Sequence, residues 1–150
     1  MDEPVLRRAK PDELDVVTLY AVLRLRVEVF VVEQACPYPE LDGRDLDPST
    51  VHFWLSPHGA PTAVLGYLRL LRGGDTYRIG RVCTARSMRG AGLADVLMRA
   101  ALQEVGDAPC ALESQSHLVG FYTTHGFHVA GEEFIEDGIP HVPMRRDPSG

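Results

Sequence analysis

Thr84-Ala85-Arg86-Ser87-Met88-Arg89-Gly90-Ala91-Gly92-Leu93-Ala94 decides the reading of this chain. The stretch joins a segment that reads as a strand (Tyr77 to Thr84) to the clearest helix in the sequence (Gly92 to Val105). Glycines let backbone N–H groups approach an anion closely and take up positive φ. A helix start adds unsatisfied N–H donors and a favourable dipole. Arg86 and Arg89 bring cationic charge to the same place. These elements together predict a diphosphate site. The plainer reading is a helix entry with two solvated arginines, but the strand–turn–helix context favours the phosphate. No Gly-Lys-Ser/Thr follows, which excludes a Walker loop. The turn lies mid-chain after several strands, which disfavours a Rossmann fingerprint.

Working outward, the helix from Gly92 is apolar except for a stripe of Asp95, Arg99 and Gln103 at four-residue spacing. Upstream, Val64 to Leu71 is nearly all apolar and suits a central strand. His52-Phe53-Trp54-Leu55 begins another. Residues 36–50 hold four acids, Glu40, Asp42, Asp45 and Asp47, and read as a loop. Asp12 to Glu28 reads as a helix with Val16, Leu19, Tyr20, Leu23 and Val27 on its apolar face, Pro11, Asp12 and Glu13 serving as start signals. Pro4 to Ala9 reads as a first strand. Downstream come a strand from Pro109 to Glu113 and a short helix from His117 to His125, stopped by Gly126. A hairpin of Phe127 to Ile135 and Ile139 to Met144 turns at Asp137-Gly138. The order β, α, loop, three strands, α, β, α, hairpin predicts one mixed α/β domain over residues 1–150, with antiparallel strands preceding a central β-α-β crossover.

Composition sets bounds. Of 150 residues, 45% are apolar and 24% charged, as expected of a globular domain. The net charge of −6 argues against nucleic-acid binding. The start, Met1-Asp2-Glu3-Pro4, does not read as a signal peptide, and no apolar run is long enough for a membrane span. Cys36, Cys83 and Cys110 are scattered and odd in number, which suits free thiols in a reducing cytoplasm. Without a CxxC or HxxxH spacing, no metal is assigned.

Arg89-Gly90-Ala91-Gly92-Leu93-Ala94 resembles the Arg/Gln-x-x-Gly-x-Gly/Ala motif of the GNAT acyltransferases, with Ala94 where glycine is commoner. Phe121-Tyr122-Thr123-Thr124-His125-Gly126-Phe127 is similar to their second motif. The resemblance narrows to the ElaA-like branch through Leu25-Arg26-Val27-Glu28-Val29-Phe30-Val31-Val32-Glu33-Gln34, then Cys36, Tyr38, Glu40, Asp42 and Asp45, then Gln115-x-His117-Leu118 and Glu136-Asp137-Gly138-Ile139-Pro140-His141. It covers most of residues 19–145. Phe30-Val31-Val32-Glu33 also resembles acyl-homoserine-lactone synthases, but those are usually longer and lack the last two segments.

The resemblance implies a GNAT-type acyl-CoA N-acyltransferase fold in which two parallel strands splay apart around coenzyme A. It implies acetyl-CoA as donor, with the backbone of Val82, Cys83 and Thr84 pairing with the pantetheine and Arg89, Gly90, Ala91, Gly92, Leu93 and Ala94 holding the pyrophosphate. Tyr122 resembles the family's general acid. Glu33, His117, Glu136 and His141 are the candidates for the base. Gln34, Asp42, Asp45, His52 and Gln115 join Glu136 and His141 as candidates for the acceptor site. Cys83 reads better as a small buried side chain than as a nucleophile. The acceptor is a small-molecule or peptide amine of unspecified identity, and a homodimer is left open. The competing function is an acyl-CoA-binding sensor or interaction protein without turnover.

Overall fold

Alternating burial along the central strands organises the sheet. The computed structural model describes residues 3–148. Leu68 and Leu70 of β3 (Gly66–Gly73) and Ile79 of β4 (Thr76–Thr84) point to one face, and Tyr67 and Cys83 point to the other. Each face is covered by a helix. α2 (Leu93–Val105) lays Leu97, Met98 and Ala101 on the first face, and α1 (Val16–Arg26) lays Val22 and Leu25 on the second. The close approach of α2 explains Gly66: a Cβ there would stand 3.3 Å from Leu97 Cδ1.

The remaining strands are β1 (Val5–Ala9), β2 (Val51–Ser56), β5 (Cys110–Gln115), β6 (His128–Val129), β7 (Phe134–Glu136) and β8 (Ile139–Arg146). A short helix, α3 (Val119–Thr123), follows β5. The sheet order is β1-β2-β3-β4-β5-β8-β6, with β7 also pairing β8. All pairs are antiparallel except β4–β5. This is the mixed α/β sheet with the expected crossover, β4-α2-β5.

The β4–β5 pairing is short: only Tyr77↔Cys110 and Arg78↔Ala111 are in register before the strands part. A bulge bends β4 there. Tyr67 pairs with Cys83 and Arg69 with Gly80, so three steps on β4 oppose two on β3. Arg81 carries the bulge at φ 55, a conformation that costs a non-glycine residue about 1–3 kcal/mol. Its guanidinium is tied to Glu40, Nε to Oε2 at 2.9 Å and Nη2 to the backbone carbonyl at 3.1 Å.

Three sequence expectations need correction. Asp12 and Glu13 form a separate 3₁₀ turn, Pro11–Glu13, and α1 begins at Val16, where the Asp15 carboxylate accepts the Thr18 N–H at 2.7 Å. The buried face of α1 is Thr18, Val22, Leu25 and Arg26, whereas Val16 and Tyr20 are 78% and 71% exposed. Apolar residues lie on both sides of this helix, and a buried arginine disguises the inner one. The helix then continues as a π-helical segment, Val27–Glu33, past the expected end at Glu28. The third is Phe127 to Ile135, which is two short strands rather than one. Between them Gly131 lies so close to Pro143 that a Cβ would stand 2.7 Å from the ring, and Pro143 has no N–H for the ladder. The hairpin turn is as expected, with Asp137 at φ 52 and Gly138 at φ 79.

Candidate active site

After β4 the chain makes a 3₁₀ turn at Arg86–Met88 and enters α2 through Gly90 (φ 84) and Gly92 (φ 78). Gly92 is the N-cap, and no side chain caps the helix. The first-turn N–H groups therefore point outward without a side-chain acceptor, anchored from below by buried Leu93. Gly90 and Ala91 are exposed and Ala94 is half-buried. This arrangement fits an anion such as a diphosphate. Arg89 lies beside it and is engaged by Glu33 at the end of the π segment, with Nη1–Oε2 at 2.5 Å and Nη2–Oε1 at 2.7 Å. The Arg89 guanidinium holds the Glu33 carboxyl below the usual carboxylate range, against the opposing effect of burial.

Beyond Arg78, β4 has no strand partner on its β5 side, so its backbone from Ile79 to Thr84 presents an open edge that leads into the glycine turn. Val82 and Thr84 are half-buried on this edge. Cys83 is buried, with its thiol pushed up to about 12 by burial. A cleft of about 670 Å³ fills the gap between the strands. Val82 and Tyr122 line it.

Tyr122 is held by edge-on contacts with Phe121 and Phe127 and is only 7% exposed. Its hydroxyl bonds to no described residue. Burial, with a contribution from Cys83, pushes the phenol up to about 12.

The cleft brings together Gln34, Asp42, Gln115, Glu136 and His141 of the predicted acceptor residues. Gln115 and His141 are direct cross-strand partners. His141 stacks on Phe134 at 5.7 Å, and its Nδ1 lies 2.7 Å from the Ile139 carbonyl oxygen. A carbonyl only accepts, so Nδ1 carries a proton and the acceptor position of the imidazole is Nε2. His117 is exposed on a 3₁₀ turn, Ser116–Leu118, outside the cleft lining. Glu33 is also outside the lining, beside Arg89 at the glycine-rich turn.

Asp45 and His52 are buried behind the cleft. They belong to a charge network that sequence reading did not assemble. Arg26, with no exposed surface, donates to Glu40 at 2.6 Å and Asp45 at 2.6 Å. Arg69 donates to Asp42 at 2.6 Å and Asp45 at 3.2 Å. Tyr38 donates to Glu40. His52 lies between the Tyr67 hydroxyl (2.6 Å) and the Asp45 carbonyl (3.0 Å). Since that carbonyl can only accept, Nε2 donates to it and Nδ1 accepts from Tyr67. The Arg69 bonds hold Asp42 well below the usual carboxylate range. Burial is the largest single influence on Asp45 and opposes its ionisation, but Arg26 and Arg69 together outweigh it and the carboxyl is also lowered. One signal was available in the sequence: an arginine in a central apolar strand, Arg69, needs carboxylate partners.

Residues 21–148 match the family described as the acetyltransferase (GNAT) domain. The chain is 55% identical over 147 residues to a UPF0039 protein of Mycobacterium bovis, with 97% of this chain and 94% of that protein covered. Among solved structures, an acyl-CoA N-acyltransferase from Pseudomonas aeruginosa superposes with TM-score 0.88 at 40% identity, covering 96% of this chain and 99% of that one. Escherichia coli ElaA superposes with TM-score 0.89 at 36% identity, covering 97% and 100%. With the glycine-rich turn, the splayed strands and these relatives in agreement, the chain belongs to the GNAT acetyltransferase family, in its ElaA-like branch.

Proposed function

We propose that this chain transfers an acetyl group from acetyl-CoA to a primary amine within a ternary complex. The observation that carries the reading is the open β4 edge, which runs into an uncapped, glycine-rich helix start with Tyr122 alongside. An extended amide-bearing ligand can pair with such an edge as an added strand does, and its diphosphate meets N–H donors at the end of it. The groups assigned to this task are the backbone of Val82, Cys83 and Thr84 and the stretch Arg89 to Ala94. Acetyl-CoA supplies the acyl thioester: the amine nitrogen bonds to the carbonyl carbon, the carbon–sulfur bond breaks, and the proton lost by nitrogen balances the one gained by sulfur.

The residues divide that proton work. An alkylamine is mostly protonated at neutral pH and needs a base. His141 is the best supplied of the four candidates, with its acceptor Nε2 in the cleft, and Glu136 lines the cleft beside it. Glu33 is engaged by Arg89, and His117 lies outside. Tyr122 stays protonated across the working range. At about 12 it is well above a free thiol, near 8.5, so its first role is to donate a hydrogen bond to the sulfur as charge gathers there.

The test is thiol release from acetyl-CoA in an amine screen, run with Tyr122→Phe. We expect kcat to fall about a hundredfold, in line with the loss of one hydrogen-bond donor to the developing charge, while acetyl-CoA affinity holds. Unchanged turnover in Tyr122→Phe would remove that residue from the chemistry. Binding of acetyl-CoA without turnover on any amine would favour a sensor.

A further inference from the structure

The cleft holds more charge than the transfer step uses, and the arginines gather on one wall. Arg44, Arg69, Arg78 and Arg81 line the β3–β4 side with Asp42 among them, and Glu113, Glu136 and Asp137 line the side of β5 and the hairpin. Arg69 and Arg81 are engaged by Asp42, Asp45 and Glu40. The other two are not held in this way. Arg44 is exposed and forms no ion pair with a described residue. Arg78 reaches only Glu113, at 3.8 Å, with the two side chains 46% and 44% exposed. A pair of that kind contributes little and yields readily to a ligand. Arg44 and Arg78, with Leu71, also line a second hollow of about 410 Å³ adjoining the cleft.

A second observation points the same way. Arg69 Nε is buried without a hydrogen-bond partner. It lies over Gly80, where an added Cβ would stand 3.9 Å away, and both residues line the cleft. A buried N–H donor needs an acceptor, and here a water or a ligand oxygen can supply it.

The strands set the spacing. Arg78 stands at the last β4–β5 pair, opposite Ala111. Gln115, opposite His141, is four residues further along β5, roughly 13 Å at strand rise. The cationic end therefore lies at the closed end of the splay and the amine-activating end at its mouth. The acidic wall would repel a dianion, which favours a singly charged carboxylate over a phosphate.

We propose that the acceptor is an amine carrying a carboxylate about three extended residues away, as in a short peptide, with the carboxylate held by Arg44 and Arg78. The proposal rests on the reading of this chain as an amine acetyltransferase. The test compares triglycine with triglycinamide at saturating acetyl-CoA, by thiol release. In the native protein kcat/KM should be at least tenfold higher for triglycine. In the Arg44→Gln/Arg78→Gln double variant that ratio should fall to about one, while Arg24→Gln, a charge loss on the far helix, should keep it. Equal use of the two peptides by the native protein, or a preference that survives the double variant, would overturn the proposal. If neither peptide is acetylated, titration of both into the protein decides: a tenfold tighter Kd for triglycine, abolished in the double variant, supports it, and equal or absent binding refutes it. The parent reading fails on a different readout, the absence of acetyl-CoA binding.

Discussion

Arg89 and Glu33 face each other in a bidentate pair, so under the proposed function a bound diphosphate would compete with the Glu33 carboxylate for one guanidinium. Exposed pairs of this kind contribute about 0.2–1 kcal/mol. Glu33→Gln should therefore tighten acetyl-CoA binding by about 1.4- to fivefold, read as Kd by titration. Weaker binding would mean that Glu33 positions Arg89 rather than competing for it. His141 carries a second prediction at this scale. His141→Gln should lower kcat/KM about a hundredfold, as for the loss of a general base, with acetyl-CoA affinity held; an unaffected rate would clear His141 of the base role. The strand–turn–helix junction at Arg89 to Ala94 was legible in the sequence because its glycines, arginine and helix start lie within a few residues of one another. The Glu33–Arg89 pair was not legible, because the partners are 56 residues apart and no local pattern reveals such a pair.

Among the elements, α1 shows where periodicity misleads. Val16 and Tyr20 make a regular apolar stripe on the exposed side, while the inner side carries Thr18 and Arg26 among its apolar residues. Val22, with no exposed surface, should lose about 2 kcal/mol of stability as Val22→Ala, whereas Val16→Ala should stay within about 0.5 kcal/mol. Urea denaturation of the two variants measures the difference, and equal losses would contradict the observed face. At the start of α2, the left-handed Gly92 resists a branched side chain. Gly92→Val should cost about 1–2 kcal/mol of stability and lower Tm by a few degrees. Its acetyl-CoA affinity should drop at least tenfold, because the N–H donors turn away. The glycines, the helix from Gly92 and the hairpin at Asp137-Gly138 could be read because their conformational demands are local. The bulge at Arg81 could not, since a positive φ at arginine is sustained by Glu40, far away in the chain.

Across the whole molecule, one buried charge network joins α1, the 36–50 loop and β2 to β4, and it makes stability depend on pH. Burial holds His52 below its ordinary value of 6.5, so the unfolded chain takes up that proton first. The stability this contributes is complete above pH 6.5 and is lost as pH falls below it. Asp42 and Asp45 are lowered from 3.8, so their contribution persists above that pH and is lost on further acidification towards their folded values. Tm should accordingly fall in two stages on acidification, and His52→Gln should flatten the first. A native Tm that does not change between pH 7 and 5 would contradict this account of His52. The acids of the 36–50 loop read in sequence only as a loop with candidate acceptor residues, because which arginine each one meets is settled only when the sheet and α1 close on them. The family and the glycine-rich turn between β4 and α2 were legible, and the division of the acids between network and cleft was not. The central claim is that the turn at Arg89 to Ala94 holds the diphosphate of acetyl-CoA. The most direct measurement is isothermal titration of the native protein and its Arg89→Glu variant with acetyl-CoA. One saturable site in the native protein, weakened at least tenfold in the variant, is the expected result; no binding by the native protein, or equal binding by both, would contradict it.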